Sequence, residues 1–540
     1  MNTAKLASLA SVVAIASASA TAAYADNAKI IERIDQMQKQ LENQQQQIEA
    51  QKQEIERLRS RLGGEPRTEG GAPASKSELD SLKEQIASDA AKAKANPSVV
   101  ISNIRPTIQS ADGKFSMSLR GRAQVDVAEH IQDNAGPLAS DFRRGSQGSG
   151  GREVNSAREF SDGANFRRAQ IGMEGKAWGD FNYKLVYEFG GSGTEGPARL
   201  HEAWVSYAGF GPLVIQAGAL APNANLDDGV ASDETMFIER ASPAELSRAL
   251  AGGDGRYAIG IKGSGSVWFA SAFLTGGTAG DAETADEQTA VVTRVASRLI
   301  EDEDVDLHVG ANLSWLLEPA DLGSLSTSAR YGVRFRDRPE LRVDSTRLID
   351  TGNIDANSAY AGGLEAAIRV SSLFFQGEYF NYGVDRHAST GLANPDFSGW
   401  YAEAAWALTG ESRKYNSSAA AFAAIKPSSP VESGSGFGAF ELAARFSHVD
   451  LNFHDGIAGA AAAADSIRGG EQDIWTLGLN WYLNPNLRAT LNYFMVDVNR
   501  FNPAGVGNLT PFGASPSTPP DGVQIGQDYD AVALRLQLAF

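Results

Sequence analysis

From Lys114 to the terminal Phe540 the chain repeats one pattern, strand-length runs in which apolar and polar side chains alternate one for one. Phe115, Met117, Leu119, Gly121, Ala123, Val125 and Val127 alternate with Lys114, Ser116, Ser118, Arg120, Arg122, Gln124 and Asp126. The same period runs through Phe181–Phe189, Val305–Trp315 and Trp475–Leu483, and the chain ends on Val532, Leu534, Leu536, Leu538 and Phe540. Successive side chains of a strand point to opposite faces, so each run gives a strand with one apolar and one polar face. This excludes a helical bundle over most of the chain. It leaves two architectures, a soluble sandwich with a shared core or a membrane barrel with lipid outside and a polar lumen.

Three features select the barrel. The runs have the length that crosses a bilayer at a tilt. Aromatic residues (Tyr187, Phe189, Trp315, Trp475, Trp481) stand near strand ends, where an interfacial girdle requires them. The alternating C-terminal run with its terminal aromatic is similar to the end by which outer-membrane proteins are recognised for assembly. No apolar run of 18 residues follows the first 25, so a polytopic helical membrane protein is excluded. Glu301–Asp304 and Asn484–Asn486 read as short polar turns. The Gly/Ser/Asn/Asp-rich stretches 132–163, 276–289, 411–436 and 454–472 read as longer external loops. Residues 220–256 also read as a loop, but Met236, Phe237, Ile238 and Leu246 mark it as one that folds into the lumen.

The front of the chain is built differently. Lys5, the apolar stretch Leu6–Ala20 and Ala23-Tyr24-Ala25 have the form of a secretory signal over 1–25, placing the mature start at Asp26. Ile34, Leu41, Ile48, Ile55 and Leu62 then recur every seven residues, with Ile30, Met37, Gln44, Gln51 and Leu58 in the companion positions. That seam predicts a coiled coil over 26–62, with two glutamine layers that weaken it but help set register; one amphipathic helix lying on another surface is the alternative. Gly63-Gly64-Glu65-Pro66 stops the helix. Residues 63–98 are a linker with one short helix, ended by Asn96-Pro97, and the barrel domain is expected over 99–540.

Composition narrows the function. There is no cysteine, hence no disulfide, thiolate metal site or cysteine nucleophile, and the six histidines show no metal-binding spacing. No G-x-S-x-G elbow occurs, and the acidic run Glu301–Asp306 lacks EF-hand spacing, so neither an enzyme, a metal nor a cofactor is expected. Residues 1–98 carry 13 basic and 13 acidic groups, which leaves the whole net charge of −18 on the rest and argues against nucleic acid as a partner.

Arg334, Arg336 and Arg338 are spaced by two, so on a strand all three share a face opposite Val333, Phe335 and Asp337. An arginine on the lipid face costs about 2–4 kcal/mol at the midplane, which puts the row in the lumen. A row of guanidiniums offers successive forked donor sets to phosphate oxygens. Arg330 and Arg342 extend the row if the strand continues. Arg120 and Arg122 face the lumen by alternation.

Several blocks in order along the chain resemble the phosphate- and polyphosphate-selective porins O and P. They include Phe166–Gln170, His201–Tyr207, Phe237–Arg240, Arg334–Glu340, Asp350–Gly352, Gln376–Tyr379, Gly399–Tyr401, Leu408–Glu411 and Gly478–Pro485. The resemblance implies a sixteen-stranded all-β barrel, assembled as a homotrimer in the outer membrane, with inward loops and an arginine-lined passage for phosphate or other small anions. It adds Arg167, Arg168 and Arg240 to the pore, and by a looser match Glu202 near the constriction. Glu340, Asp344, Glu239 and Glu202 are available partners, so the same arginines would otherwise brace the wall. The sequence departs from the family in its lysines. Beyond residue 98 these are only Lys114, Lys176, Lys184, Lys262, Lys414 and Lys426, with none in 220–256, and an external acidic run (Asp281, Glu283, Asp286, Glu287) would repel anions. Two other readings stand beside this one: a weakly selective diffusion pore, and a structural protein tethered by its coiled coil to peptidoglycan or a periplasmic partner.

Overall fold

In the computed structural model the described residues are 97–132, 160–191, 199–280, 286–321, 330–432, 435–503 and 521–540. The signal, coiled-coil and linker expectations over 1–96 lie outside them, as do Asp281 and Glu283. A hairpin of β1 (Ser98–Ser102) and β2 (Arg105–Gln109) comes first and pairs through β2 with the start of β3 (Ser116–Ile131). The wall continues with β4 (Gly163–Ala177), β5 (Phe181–Glu188), β6 (Arg199–Phe210), β7 (Leu213–Leu220), β8 (Arg256–Ser264), β9 (Trp268–Thr278), β10 (Thr289–Glu301) and β11 (Val305–Glu318). Three two-residue pieces follow: β12 (Gly332–Val333), β13 (Arg336–Asp337) and β14 (Ile349–Asp350). Then come β15 (Ile354–Val370), β16 (Leu373–Arg386), β17 (Asp396–Ala407), the small ladder of β18 (Tyr415–Asn416) with β19 (Ala421–Phe422), β20 (Ala439–Phe453), β21 (Ile467–Tyr482), β22 (Leu487–Asn499) and β23 (Tyr529–Ala539).

Sixteen of these strands, β3–β11, β15–β17 and β20–β23, pair antiparallel with their neighbours. The ring closes where β23 meets β3 with Leu538 opposite Ala123. Closure satisfies every strand edge, the condition for spanning hydrocarbon. The expected alternation is the alternation of the wall. Leu119, Ile171, Leu185, Val205, Leu364 and Leu477 are exposed on the outside, while Gln124, Arg294, Arg535 and Asn480 are buried on the inside. The turns at 302–304 and 483–486 are short, as expected, and Phe540 hydrogen-bonds Gly121 through both backbone groups at 2.9 and 3.0 Å.

Three segments fill much of the lumen. The segment 221–255, between β7 and β8, carries α1 (Leu226–Gly229) and α2 (Ser242–Ala251) and folds inward as its apolar residues predict. The Glu378 carboxylate receives the Leu226 and Asp227 amides at 2.9 and 3.1 Å, satisfying donors that the start of α1 leaves open. Ile238, Leu246 and Ala251 pack with Phe380, Tyr382 and Phe397 of the wall. The segment 319–353 contributes Phe335, Leu341 and Ile349 to the same core.

The third segment corrects an expectation. Residues 411–436, read as an external loop, lie in the connection 408–438 between β17 and β20, at the end of the barrel that carries the short turns. Phe422 packs on Phe374 with ring centroids 4.9 Å apart and joins Leu226, Met236 and Phe237 in a second inner core. Arg294 holds the Ala419 and Ala420 carbonyls at 2.8 and 2.7 Å. Gly/Ser-rich composition marks a connection but is blind to the end of the barrel on which it falls; strand parity decides that.

Candidate permeation path

Because three segments occupy the β9–β22 side, open space remains along β3–β6. A cavity of about 410 Å³ at the short-turn end is lined by Arg105, Arg120, Arg122, Lys184, Lys426 and Arg488, against Glu202, Asp233 and Glu234. A smaller one above it is lined by Arg167, Arg168, Arg199, His201, Glu188 and Asp254. Gln170 borders both, so the two are neighbours along the same stretch of wall. A third recess, between the segments 221–255 and 319–353, is bordered by Arg240, Arg338, Arg342, Glu239 and Asp337.

Strand register builds the first two cavities. Arg122 lies opposite Gln170, Gln124 opposite Arg168 and Glu174 opposite Lys184, so the inward positions of β3, β4 and β5 form one polar column. Arg120 and Arg122 do point inward. Arg120 pairs with Glu174 at 2.7 Å, and Arg122 with Asp233 and, at 2.5 Å, Ser232 of the inward segment. Glu202 is held at 2.7 Å by both Lys184 Nζ and Trp204 Nε1. Arg168 donates to Gln124 Oε1 at 2.8 Å, and among the described residues no carboxylate lies within ion-pair distance of it.

Its neighbour Arg167 is used otherwise. It forks onto Glu239 at 2.7 and 3.1 Å. Arg342 and Arg535 reach the same carboxylate at 3.3 and 2.9 Å, and Arg535 also grips Asp126 of β3 at 2.6 Å. Burial works against a charge on Glu239, yet Arg167, Arg342 and Arg535 together hold its carboxyl well below the usual range. Arg240 is spent on the Asp227 and Val230 carbonyls at 3.2 and 2.8 Å. Lower down, burial and the charge of Asp233 raise the Glu234 carboxyl.

Arg334, Arg336 and Arg338 are not on a wall strand. They lie in the segment 319–353, where only β12 and β13 are paired. Alternation survives as far as Arg336, with Val333 and Phe335 buried and Arg334 and Arg336 exposed. It then fails, because Pro339 lacks an amide and Glu340 turns the chain at a φ of 52°, and Arg338 is buried. Arg334 binds Asp350 at 2.7 Å, whereas Arg336 has no carboxylate within ion-pair distance among the described residues. Arg330 binds Asp321 at 2.6 Å, and Arg342 binds Glu245 at 3.0 Å besides Glu239. Burial lifts the Asp337 carboxyl to about 7, against the pull of Arg342 and with Glu245 adding to the rise.

Of the carboxylates named as possible braces, Glu340 binds Arg445 and, at 2.6 Å, Ser447, and Asp344 accepts the Ser161 amide at 2.8 Å. Sequence reasoning missed Arg105, Lys184, Lys426 and Arg488 as lining residues. Alternation puts Lys184 on the polar face of β5. Alternation likewise puts Arg488 on the polar face of β22, whereas Arg105 and Lys426 reach the passage from the hairpin and from the segment 408–438, and nothing local marks them.

A closed ring of sixteen antiparallel strands, apolar outside and polar within, defines an outer-membrane porin, a channel and not an enzyme. Residues 141–540 match the model of the family described as phosphate-selective porin O and P, and the chain belongs to that family. It is 25% identical over 404 residues to porin O of Pseudomonas aeruginosa, covering 72% of this chain and 84% of that one. An uncharacterised protein of Caulobacter vibrioides is 26% identical over 412 residues, 74% of this chain and 72% of its own. Among solved structures, an anion-selective porin from Comamonas acidovorans aligns with a TM-score of 0.44 at 13% identity, covering 79% of this chain and all of that one. The channel DcaP of Acinetobacter baumannii aligns with a TM-score of 0.42 at 10% identity, over 79% of this chain and 97% of that one.

Proposed function

We propose that this porin passes small anions by diffusion, with phosphate or polyphosphate as its natural solute and Arg168 as the site that favours them. One observation carries this reading: Arg168 lines the smaller cavity, without a carboxylate partner among the described residues, above a vestibule lined by six cations and three carboxylates. A guanidinium whose fork is not already occupied by a carboxylate offers it to phosphate oxygens. Passage requires each such site to bind well enough to admit an ion and weakly enough to release it. The exposed Arg336, in the segment 319–353, is a second free fork on the approach.

Purified protein in planar bilayers tests this. In a KCl gradient the reversal potential should report anion preference, and added phosphate should block the chloride current. Arg168→Ala should lower the anion-to-cation permeability ratio roughly fivefold, the effect of about 1 kcal/mol from one charge at intermediate dielectric. Cation preference in the unmodified protein, with no phosphate block, defeats the reading.

A weakly selective pore is the second reading, favoured by the many lumen arginines already neutralised by carboxylates. We also propose a homotrimer. β5 and β7 have eight residues each and β8 nine, below or at the lower end of the roughly 9–11 that cross a bilayer, and a second copy is a natural cover for so low a wall. The heptads over 26–62 then either join the three copies in the periplasm or reach from them to peptidoglycan or another periplasmic partner.

A further inference from the structure

The outer wall opposite the low wall carries a groove that the porin reading leaves unused. Gly377, Ala402, Ala404 and Ala444 are neighbours across β16, β17 and β20, and their small side chains floor a depression of about 770 Å³. Trp400, Phe446 and Trp475 arch over its upper end, with ring centroids 5.2 Å apart for Trp400–Phe446 and 4.8 Å for Phe446–Trp475. Directly above the arch, toward the long-loop end, the register sets His448 beside Trp400 and opposite Asp473, and Asp450 opposite Glu471. His448 Nδ1 lies 2.7 Å from Asp473, and ligand atoms of His448, Glu471 and Asp473 lie within 4.8 Å of one another. His448 lies on a different strand from Glu471 and Asp473 and well before them in sequence, so no spacing motif announces the three together.

From bottom to top the order is a smooth apolar groove, a belt of aromatic rings, then a nitrogen and carboxylate cluster. That is the order of parts in a lipid standing in the outer leaflet. We propose that the groove holds an acyl chain of a phosphorylated outer-leaflet lipid, whose headgroup phosphate meets His448, Glu471 and Asp473 through a divalent cation. Charge decides the last step. A phosphate is repelled by Glu471, Asp473 and the nearby Asp450, and a divalent ion between them turns the repulsion into a bridge. The same carboxylates argue against a bare anion as the occupant. A second copy of the chain is disfavoured because the low wall lies about half a turn of the ring away. In that one respect the inference rests on the trimer proposed above.

Native mass spectrometry of the purified protein in detergent, with bis-phosphorylated lipid A as probe, tests it in calcium and in EDTA. In calcium the wild type should retain lipid. Ala402→Leu with Ala444→Leu, which fills the groove, should cut retention about tenfold, since every methylene kept out of the groove forfeits its burial. Trp475→Leu should weaken retention without filling anything. Glu471→Gln with Asp473→Asn should match the loss that EDTA causes in the wild type. Unchanged retention in the filled-groove variant overturns the acyl-chain site. Loss there, with neither EDTA nor the charge variant having an effect, overturns the cation bridge. A change of oligomeric state on filling the groove overturns the proposal in favour of a contact between copies. KCl conductance of each variant shows that the barrel has formed. A wild type that retains lipid but does not conduct refutes the porin reading and leaves the lipid site standing.

Discussion

Glu239 is the residue on which the inner architecture turns. Three guanidiniums from β4, the segment 319–353 and β23 converge on a carboxylate of the inward segment, all of them buried. Removing one partner of a buried ion pair costs about 3–5 kcal/mol, because the remaining charges lose their compensation. Glu239→Gln is therefore expected to lower the midpoint of heat modification on gels and to make single-channel currents noisier. A variant that melts and conducts like the wild type would show that the hub does not hold the segment.

Asp337 sets a pH dependence. Its folded-state pKa of about 7 lies above the ordinary carboxylate value, so the folded protein binds the extra proton across the window between them. Its effect on stability is thus most favourable below that window and is lost as pH rises through 7. Protonation also removes a negative charge from the recess that holds Arg338 and Arg342. Reversal potentials should move toward stronger anion preference between pH 8 and 6. Asp337→Asn should flatten that change, and a pH response that persists in the variant assigns it to another group. The sequence made Arg120 and Arg122 legible because alternation fixes the face of a strand residue. It could not separate Arg167 from Arg168, since which guanidinium meets a carboxylate depends on a segment dozens of residues away.

Among elements, the segment 408–438 is the least legible and the easiest to test. Phe422 is its anchor, and Phe→Ala in a packed core costs about 3–5 kcal/mol. Phe422→Ala should expose the segment to protease from the short-turn side and raise single-channel conductance. Greater cleavage with unchanged conductance would mean that the segment braces the wall without narrowing the passage. The strands themselves were legible because a residue misplaced by one would turn every apolar side chain to the lumen. The arginine row at 334–338 has the same period and is not a wall strand. Period two is a local backbone property, and only membership of a hydrogen-bonded ring makes it a wall.

For the whole molecule, the test of assembly lies on the low wall. Ile259 is exposed on β8 and Leu477 on β21, about half a ring apart. Arginine at either site bears a lipid-face cost of about 2–4 kcal/mol at the midplane, so only the difference between them is informative. Ile259→Arg should shift the protein to monomers on seminative gels, and Leu477→Arg should not. Deleting 26–98 in the same assay separates the roles of the heptads: loss of oligomers indicates assembly, intact oligomers with loss of envelope attachment indicate tethering. Equal effects of the two arginines would place the contact between copies elsewhere.

The seam at which the ring closes has a consequence for biogenesis. Arg535 stands on the last strand, yet it clasps Asp126 on the first strand of the ring and Glu239 on the inward segment. Sealing the wall and seating the inward segment are thus a single event, coupled through one side chain of the strand that closes the ring. A barrel arrested before that step has a gap in its side and, with it, an inward segment short of one of its three clasps. An unfinished molecule of this kind is a leak rather than a narrow pore, which gives the cell reason to let nothing but the completed ring remain in its outer membrane.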